Sequence, residues 1–127
     1  MRDLFSDIGT VLALAPAVQA AAVTGPAIDL SAVGRVAFAL TTGAIAGSGD
    51  FGVTLQESDD GSTGWANVAA DQVQTNAPAT LEDGEAYKLG YLGWKRFVRL
   101  SLTKTGGTSI VAGAVAILGS TAERPVT

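Results

Sequence analysis

Glycine and proline divide this chain into short segments. Sixteen glycines and four prolines occur among its 127 residues, and many runs between them are rich in Val, Ile, Leu, Phe and Thr. Short runs of this kind, bounded by turn residues, are typical of β-strands. Pro16, Gly25 and Pro26 interrupt the alanine-rich N-terminal third, where a helix could otherwise form. The spacing therefore predicts an all-β sandwich or barrel of about eight mostly antiparallel strands.

Several segments alternate in polarity, which places their apolar side chains on one face of a strand. The side chains predicted to point inward are Val36, Phe38, Leu40, Phe51, Val53, Leu55, Tyr87, Leu89, Tyr91, Val98, Leu100 and Leu102. Thr10 to Leu14 and Val18 to Val23 are predicted as extended chain on either side of Pro16. Ile110 to Leu118 is nearly all apolar and small, which predicts a central strand covered on both faces.

The predicted turns carry residues with defined backbone preferences. Ser58-Asp-Asp-Gly-Ser62 is expected to reverse the chain, because Asp favours early turn positions and Gly accepts positive φ. Thr105-Gly-Gly-Thr108 is expected to close a hairpin. Residues 43 to 49 are small and are predicted as a loop, and residues 71 to 85 contain no clear strand.

The length of the chain fits one domain. We expect an N-terminal arm over residues 1–9, a sandwich or barrel over 10–121 and a C-terminal tail over 122–127. Residues 11 to 23 are as apolar as a signal-peptide core, but two aspartates outweigh Arg2 in the preceding segment, where a signal sequence requires net positive charge. No run reaches the roughly 18 apolar residues of a membrane span.

The composition excludes several kinds of function. The chain has no cysteine and no histidine, so thiolate metal sites, disulfides and histidine bases are not available. Its net charge of −4 argues against a nucleic-acid binder. Only 16% of its residues are charged, which suggests that a partner covers part of the surface. No nucleophile motif is present, and we expect neither enzyme activity nor a cofactor.

Two groups of acidic residues are candidate sites. Glu57, Asp59, Asp60 and Ser62 lack the ligand spacing of a calcium loop, which favours a hairpin turn with solvated carboxylates. The second group consists of Glu82, Asp83 and Glu85, which lie close together on one predicted loop. The two catalytic carboxylates of a glycosidase face each other across a cleft, so these three are expected to be solvated.

The larger aromatic and basic side chains leave two interpretations open. The four aromatic residues Trp65, Tyr87, Tyr91 and Trp94 either close one end of the core or form a stacking platform. The four basic residues Lys88, Lys95, Arg96 and Arg99 either meet acidic groups, in a partner or in the same chain, or guard a solvated edge strand.

The longer motifs resemble a known family. Leu55-Gln-Glu-Ser-Asp-Asp-Gly-Ser62 and Tyr87-Lys-Leu-Gly-Tyr-Leu-Gly-Trp-Lys-Arg-Phe-Val-Arg99 are the most specific, with Ile8, Ala15-Pro16, Ile28-Asp-Leu30, Gly119 and Pro125-Val126 in the same order. Together they resemble small proteins of tailed bacteriophages and prophages encoded close to the major capsid protein. The resemblance covers nearly the whole chain.

The resemblance implies a structural virion protein, made in the cytoplasm of the bacterial host and located on the outer surface of the capsid. Such decoration or cement proteins bind the major capsid protein, often as homotrimers, and use no small-molecule substrate, cofactor or membrane. The alternatives are a head–tail connector or tail protein, and a carbohydrate-binding module that uses Trp65 and Trp94.

Two surfaces follow as hypotheses. An arm carrying Leu4, Phe5 and Ile8 would dock on the capsid. A strand carrying Lys95, Phe97 and Arg99 would contribute to the interface between subunits.

Overall fold

The computed structural model describes residues 8 to 31 and 33 to 121, which form two antiparallel β-sheets. In chain order the strands are β1 (Gly9–Gln19), β2 (Val23–Thr24), β3 (Ile28–Asp29), β4 (Val33–Ala46), β5 (Asp50–Ser58), β6 (Ala66–Asn67), β7 (Val73–Thr75), β8 (Ala86–Tyr91), β9 (Phe97–Gly106) and β10 (Ser109–Thr121). The sheets are not closed into a barrel. The all-β prediction is confirmed, and the fold is a sandwich.

Each sheet is built around a pair of long strands. The first sheet has the order β1-β10-β4-β8-β7. The second sheet has the order β2-β9-β5-β6, and β3 pairs with β9 further along the edge that β2 occupies. Strand β1 continues through Pro16, with register shifts between Leu12 and Leu14 and between Leu14 and Ala17. An edge strand tolerates proline, because its outer N–H groups have no ladder partner.

The predicted alternation produces the core between the sheets. Nearly all the side chains predicted to point inward are buried, and Phe38, Leu40, Phe51 and Leu55 have no exposed surface. Val53 is half-buried and packs against this cluster. Burying a side chain of this size stabilises the fold by roughly 1.5–3 kcal/mol, so the pattern that defined the strands also supplies the main stabilising term.

Two predicted connections differ from the structure. Residues 43 to 46 belong to β4 instead of a loop, because Ile45 and Ala46 pair with Ile110 and Ser109 of β10. The Gly-Gly segment before Thr108 is a turn, but the hairpin prediction is wrong. Strand β9 belongs to the second sheet and β10 to the first, so this turn crosses between the two sheets.

Three further predictions need correction. Strand β10 is central in its sheet, as expected, but only one face is covered, since Val111 and Val115 are 36% and 39% exposed. Residues 71 to 85 include strand β7, which pairs with β8. Strand β9 lies between β5 and the β2–β3 segment, so the edge-strand interpretation of its basic residues is wrong.

One end of the sandwich, which we call the terminal end, positions the candidate site. There Gly9 pairs with Leu118, Gly119 pairs with Arg35, and β5 ends at Ser58. The loop from β8 to β9 and the turn from β5 to β6 lie at the same end. The predicted arm lies outside the described residues except for its last two positions, and the predicted tail lies wholly outside them.

Candidate functional site

A tryptophan stands exposed at the terminal end. Residues 92–96 connect β8 to β9, and within this loop Trp94 is 82% exposed and Leu92 is 53% exposed. Tryptophan is on average a strongly buried residue, and adjacent exposed apolar side chains commonly mark an interaction surface. Trp94 and Leu92 are therefore the leading candidates for contact with another molecule.

The backbone of this loop is fixed on both sides of Trp94. The amide of Leu92 donates to the carbonyl of Gln72 at 2.7 Å, and the amide of Lys95 donates to the Tyr91 hydroxyl at 3.0 Å. A Cβ atom on Gly93 would lie 2.5 Å from that same hydroxyl oxygen. Only glycine permits so close an approach, so the Tyr91 hydroxyl can occupy this position only because residue 93 is glycine.

Tyr91 connects the loop to the second sheet. Its ring is buried, and its hydroxyl donates to Glu57 Oε1 at 2.7 Å while accepting from the Lys95 amide. Burial and the neighbouring Glu57 carboxylate raise the pKa of Tyr91 to about 12. The hydroxyl therefore stays protonated at neutral pH, and it can donate one hydrogen bond and accept another.

Two ion pairs hold the far side of the loop. Arg96 donates from Nε and Nη2 to the two carboxylate oxygens of Asp29, both at 3.0 Å, and this pairing holds the pKa of Asp29 well below its usual range. Lys95 Nζ lies 3.0 Å from Asp59 Oδ2. Exposed ion pairs stabilise a fold only weakly, but the bidentate arginine fixes the geometry of the loop. Trp94 is thus presented from an ordered backbone.

The three residues predicted at a subunit interface all contact their own chain. Lys95 pairs with an aspartate, as described above. The Phe97 ring lies against the β5–β6 turn. Arg99 donates to Gln56 Oε1 at 2.9 Å, and its guanidinium lies 4.1 Å from the centre of the Trp65 ring. Lys95 lies in the loop before β9 and not on the strand as predicted. The three side chains are satisfied within one molecule, and their role in a subunit interface stays a prediction.

The four aromatic residues separate into different environments. Tyr87 and Tyr91 belong to the core, as one of the two interpretations expected. Trp65 is half-buried beneath Arg99, whereas Trp94 is almost fully exposed. The sequence did not distinguish these two tryptophans. Each tryptophan follows a glycine, Gly64 or Gly93, so the neighbouring sequence carries no signal that separates them.

The Asp-Asp-Gly turn is organised by one carboxylate. Asp60 Oδ1 accepts hydrogen bonds from the amides of Ser62 and Thr63 and from the Ser58 hydroxyl, and Oδ2 accepts one from the Thr63 hydroxyl. These bonds, led by the Thr63 amide, lower the pKa of Asp60. Gly61 has a φ of +79°. The predicted hairpin turn is confirmed, and its carboxylate is used within the turn.

The second acidic group lies at the surface, on the loop before β8. Glu82, Asp83 and Glu85 are exposed there, and the Thr42 hydroxyl donates to the Glu82 carbonyl at 2.5 Å and accepts from the Glu85 amide at 3.0 Å. Within the described ranges, no three acidic side chains are placed to hold a metal ion.

The predicted docking arm can be placed only at its base. Leu4 and Phe5 lie outside the described residues. Ile8 is half-buried directly before β1. The arm would therefore start from the same end of the sandwich that presents Trp94.

Two remaining observations bear on what the chain is. In the part of the chain that the structure describes, no helix is long and apolar enough to cross a membrane. Comparison with protein-family models and with curated protein sequences finds no match for this chain.

Proposed function

We propose that this chain is a structural virion protein that decorates the phage head, binding the outer surface of the capsid and stabilising contacts between major capsid protein subunits. The observation that carries the proposal is the exposed Trp94 on a loop whose backbone is fixed on both sides. The resemblance of the two longest motifs to phage proteins supports the same function.

The geometry suits a permanent docking contact. Tryptophan is enriched among the residues that contribute most to binding between proteins. An ordered loop also loses little conformational entropy when it binds. Because Ile8 lies at the same end, the arm over residues 1–9 and Trp94 would face one partner together, and linked contacts raise the overall affinity.

The test is binding to heads. Heads of the phage that encodes this chain, prepared without it, are incubated with the wild-type protein and with a Trp94→Ala variant, and bound protein is measured after sedimentation. We expect at least a tenfold loss of affinity for the variant. Trp65→Ala is the matched control, since it removes the same ring from a position that Arg99 already covers.

A second variant lacks residues 1–7, which leaves β1 intact, and it separates the arm from the loop. Failure of the wild-type protein to bind heads, or equal occupancy by wild type and Trp94→Ala, would contradict the proposal. A ring of six or twelve subunits in solution would favour the head–tail connector instead.

Carbohydrate binding is the second candidate, because a single exposed tryptophan ring can also stack on a sugar. In a Trp65→Phe background Trp94 is the sole tryptophan, so its fluorescence reports directly on this ring. A saturable change on titration with bacterial surface polysaccharide, together with no binding to heads, would favour this function over decoration.

A further inference from the structure

The chain contains two Asp-Gly sequences, Asp60-Gly61 and Asp83-Gly84. In such a pair the backbone nitrogen of the glycine can attack the side-chain carboxyl carbon of the aspartate, because glycine has no side chain to obstruct the approach. Both glycines lie in turns, with φ values of +79° at Gly61 and +62° at Gly84. The two pairs therefore offer the same local chemistry, and their surroundings decide where it proceeds.

The side chain of Asp60 is held by its own turn. Its carboxylate oxygens accept hydrogen bonds from the amides of Ser62 and Thr63 and from the hydroxyls of Ser58 and Thr63. The Gly61 amide, which would be the attacking group, donates to the Ser58 hydroxyl at 3.1 Å. The bonds to the carboxylate also lower the pKa of Asp60, so the neutral acid that the attack requires is rarer there.

The side chain of Asp83 has no comparable restraint. It is exposed, and among the described residues neither its side chain nor its backbone has a hydrogen-bond partner. The Gly84 amide donates to the Gly43 carbonyl at 3.3 Å, just beyond the usual range for such bonds. A Cβ atom on Gly84 would meet no atom within 4 Å. The Asp83 carboxyl group is thus free to turn towards the next nitrogen in uncrowded space.

We propose that Asp83-Gly84 is a site of spontaneous isomerisation to isoaspartate, whereas the fold protects Asp60-Gly61. The Gly84 nitrogen forms a bond to Cγ of Asp83, and the carboxyl hydroxyl leaves with the amide proton as water, which closes a succinimide ring. Water then opens the ring. Opening at the main-chain carbonyl gives isoaspartate, and opening at Cγ restores aspartate. The water released is regained, so the reaction needs no cofactor or oxidant, and the inference does not depend on attachment to phage heads.

The product would lengthen the turn at the point where Thr42 closes it. The Thr42 hydroxyl binds both the Glu82 carbonyl and the Glu85 amide, and the Thr42 amide donates to the Glu85 carbonyl at 2.8 Å. Isoaspartate carries its Cβ in the main chain, so the path between these two residues gains one carbon–carbon bond of about 1.5 Å. One hydroxyl can no longer hold both ends of the turn, and we expect faster hydrogen exchange at the Glu85 amide.

The two sites should react at different rates only while the chain is folded. At least one hydrogen bond to the Asp60 carboxylate has to break before Cγ can reach the Gly61 nitrogen, and this lowers the population of the reactive conformation by roughly tenfold or more. Unfolding removes these bonds, and each site is then an aspartate followed by a glycine. The difference should therefore disappear in the unfolded chain.

The test compares both sites in one sample. The purified full chain is kept for several weeks at mildly acidic pH, with and without enough urea to unfold it. Peptides are then fragmented by electron transfer, which distinguishes isoaspartate from aspartate at each position. Asp83→Glu is the matched variant, because it keeps the negative charge and would have to close a larger and less favourable ring. Hydrogen exchange at the Glu85 amide is measured on the aged wild type and on the aged variant.

We expect at least about tenfold more isoaspartate at residue 83 than at residue 60 in the folded chain, and equal amounts in urea. Exchange at the Glu85 amide should become faster with age in the wild type and not in Asp83→Glu. No isoaspartate at residue 83 in the folded chain, or equal amounts at both residues, would overturn the proposal. A difference that persists in urea would overturn it too, since the neighbouring sequence and not the fold would then decide. Unchanged exchange at Glu85 in a modified chain would contradict the effect proposed for the turn.

Discussion

Tyr91→Phe tests whether one buried hydroxyl fixes the loop that presents Trp94. The substitution keeps the ring in the core and removes only the oxygen. Two groups then lose their partner: the Glu57 carboxylate, 2.7 Å away, and the Lys95 amide, 3.0 Å away. Tyr87→Phe is the matched control, because the Tyr87 ring is equally buried and its hydroxyl accepts only one hydrogen bond in the structure, from the amide of Glu82.

The difference between the two variants can be estimated from these bonds. A hydrogen bond to a charged group contributes about 1.5–3 kcal/mol, and a neutral one about 0.5–1.5 kcal/mol. Tyr91→Phe should therefore lower the free energy of unfolding by about 2–4.5 kcal/mol, and Tyr87→Phe by about 0.5–1.5 kcal/mol. For a chain of this length, each kcal/mol corresponds to roughly 3–5 °C in the midpoint of thermal unfolding.

Urea unfolding followed by circular dichroism measures both values, with the slope of the transition compared between variants. A double-mutant cycle with Glu57→Gln isolates the coupling between the tyrosine and the carboxylate. Equal destabilisation by Tyr91→Phe and Tyr87→Phe would refute the reasoning. It would mean that the hydrogen bond from the Tyr91 hydroxyl to the Glu57 carboxylate adds nothing to stability.

Three further outcomes follow from the same geometry. The pKa of Tyr91 is raised to about 12, so its contribution to stability is fully present below pH 10 and is lost as the pH rises towards 12. Unfolding measured at alkaline pH should show this loss of stability in the wild type and not in Tyr91→Phe. Gly93→Ala should destabilise by about 1–3 kcal/mol by crowding the Tyr91 hydroxyl, and thermal unfolding measures it. The pKa of Asp60 is lowered, so its contribution is present above its ordinary value of 3.8 and disappears as the pH falls below it. Asp60→Ala should lose that acid dependence, and it should speed amide hydrogen exchange at Thr63.

The strands were predictable wherever alternation was clear. Phe38, Leu89 and Leu100 each occupy the inward position that a period of two assigns to them, because a strand between water and a core requires that pattern. The sequence could not predict which strands pair. A Gly-Gly turn satisfies the same backbone requirement whether it closes a hairpin or crosses between sheets, so the position of β10 beside β1 and β4 came only from the structure.

The candidate site was only partly predictable for a similar reason. Trp65 and Trp94 were equivalent in the sequence, and the difference between them depends on a distant residue. Arg99 lies over one ring, while Tyr91 and its hydrogen bonds turn the other outward. The partners that decide the difference, Arg99 for Trp65 and Glu57 for the Tyr91 hydroxyl, lie on other strands and cannot be read from local spacing.

The outer surfaces of the two sheets differ in polarity. This difference shows where the uncharged surface lies in a chain with only 16% charged residues. The second sheet carries Gln56 and Arg99 on its outer side, paired across β5 and β9 and bonded to each other. The first sheet carries Val111 and Val115. The uncharged surface is therefore concentrated on one side of the sandwich, and Trp94 stands at its end.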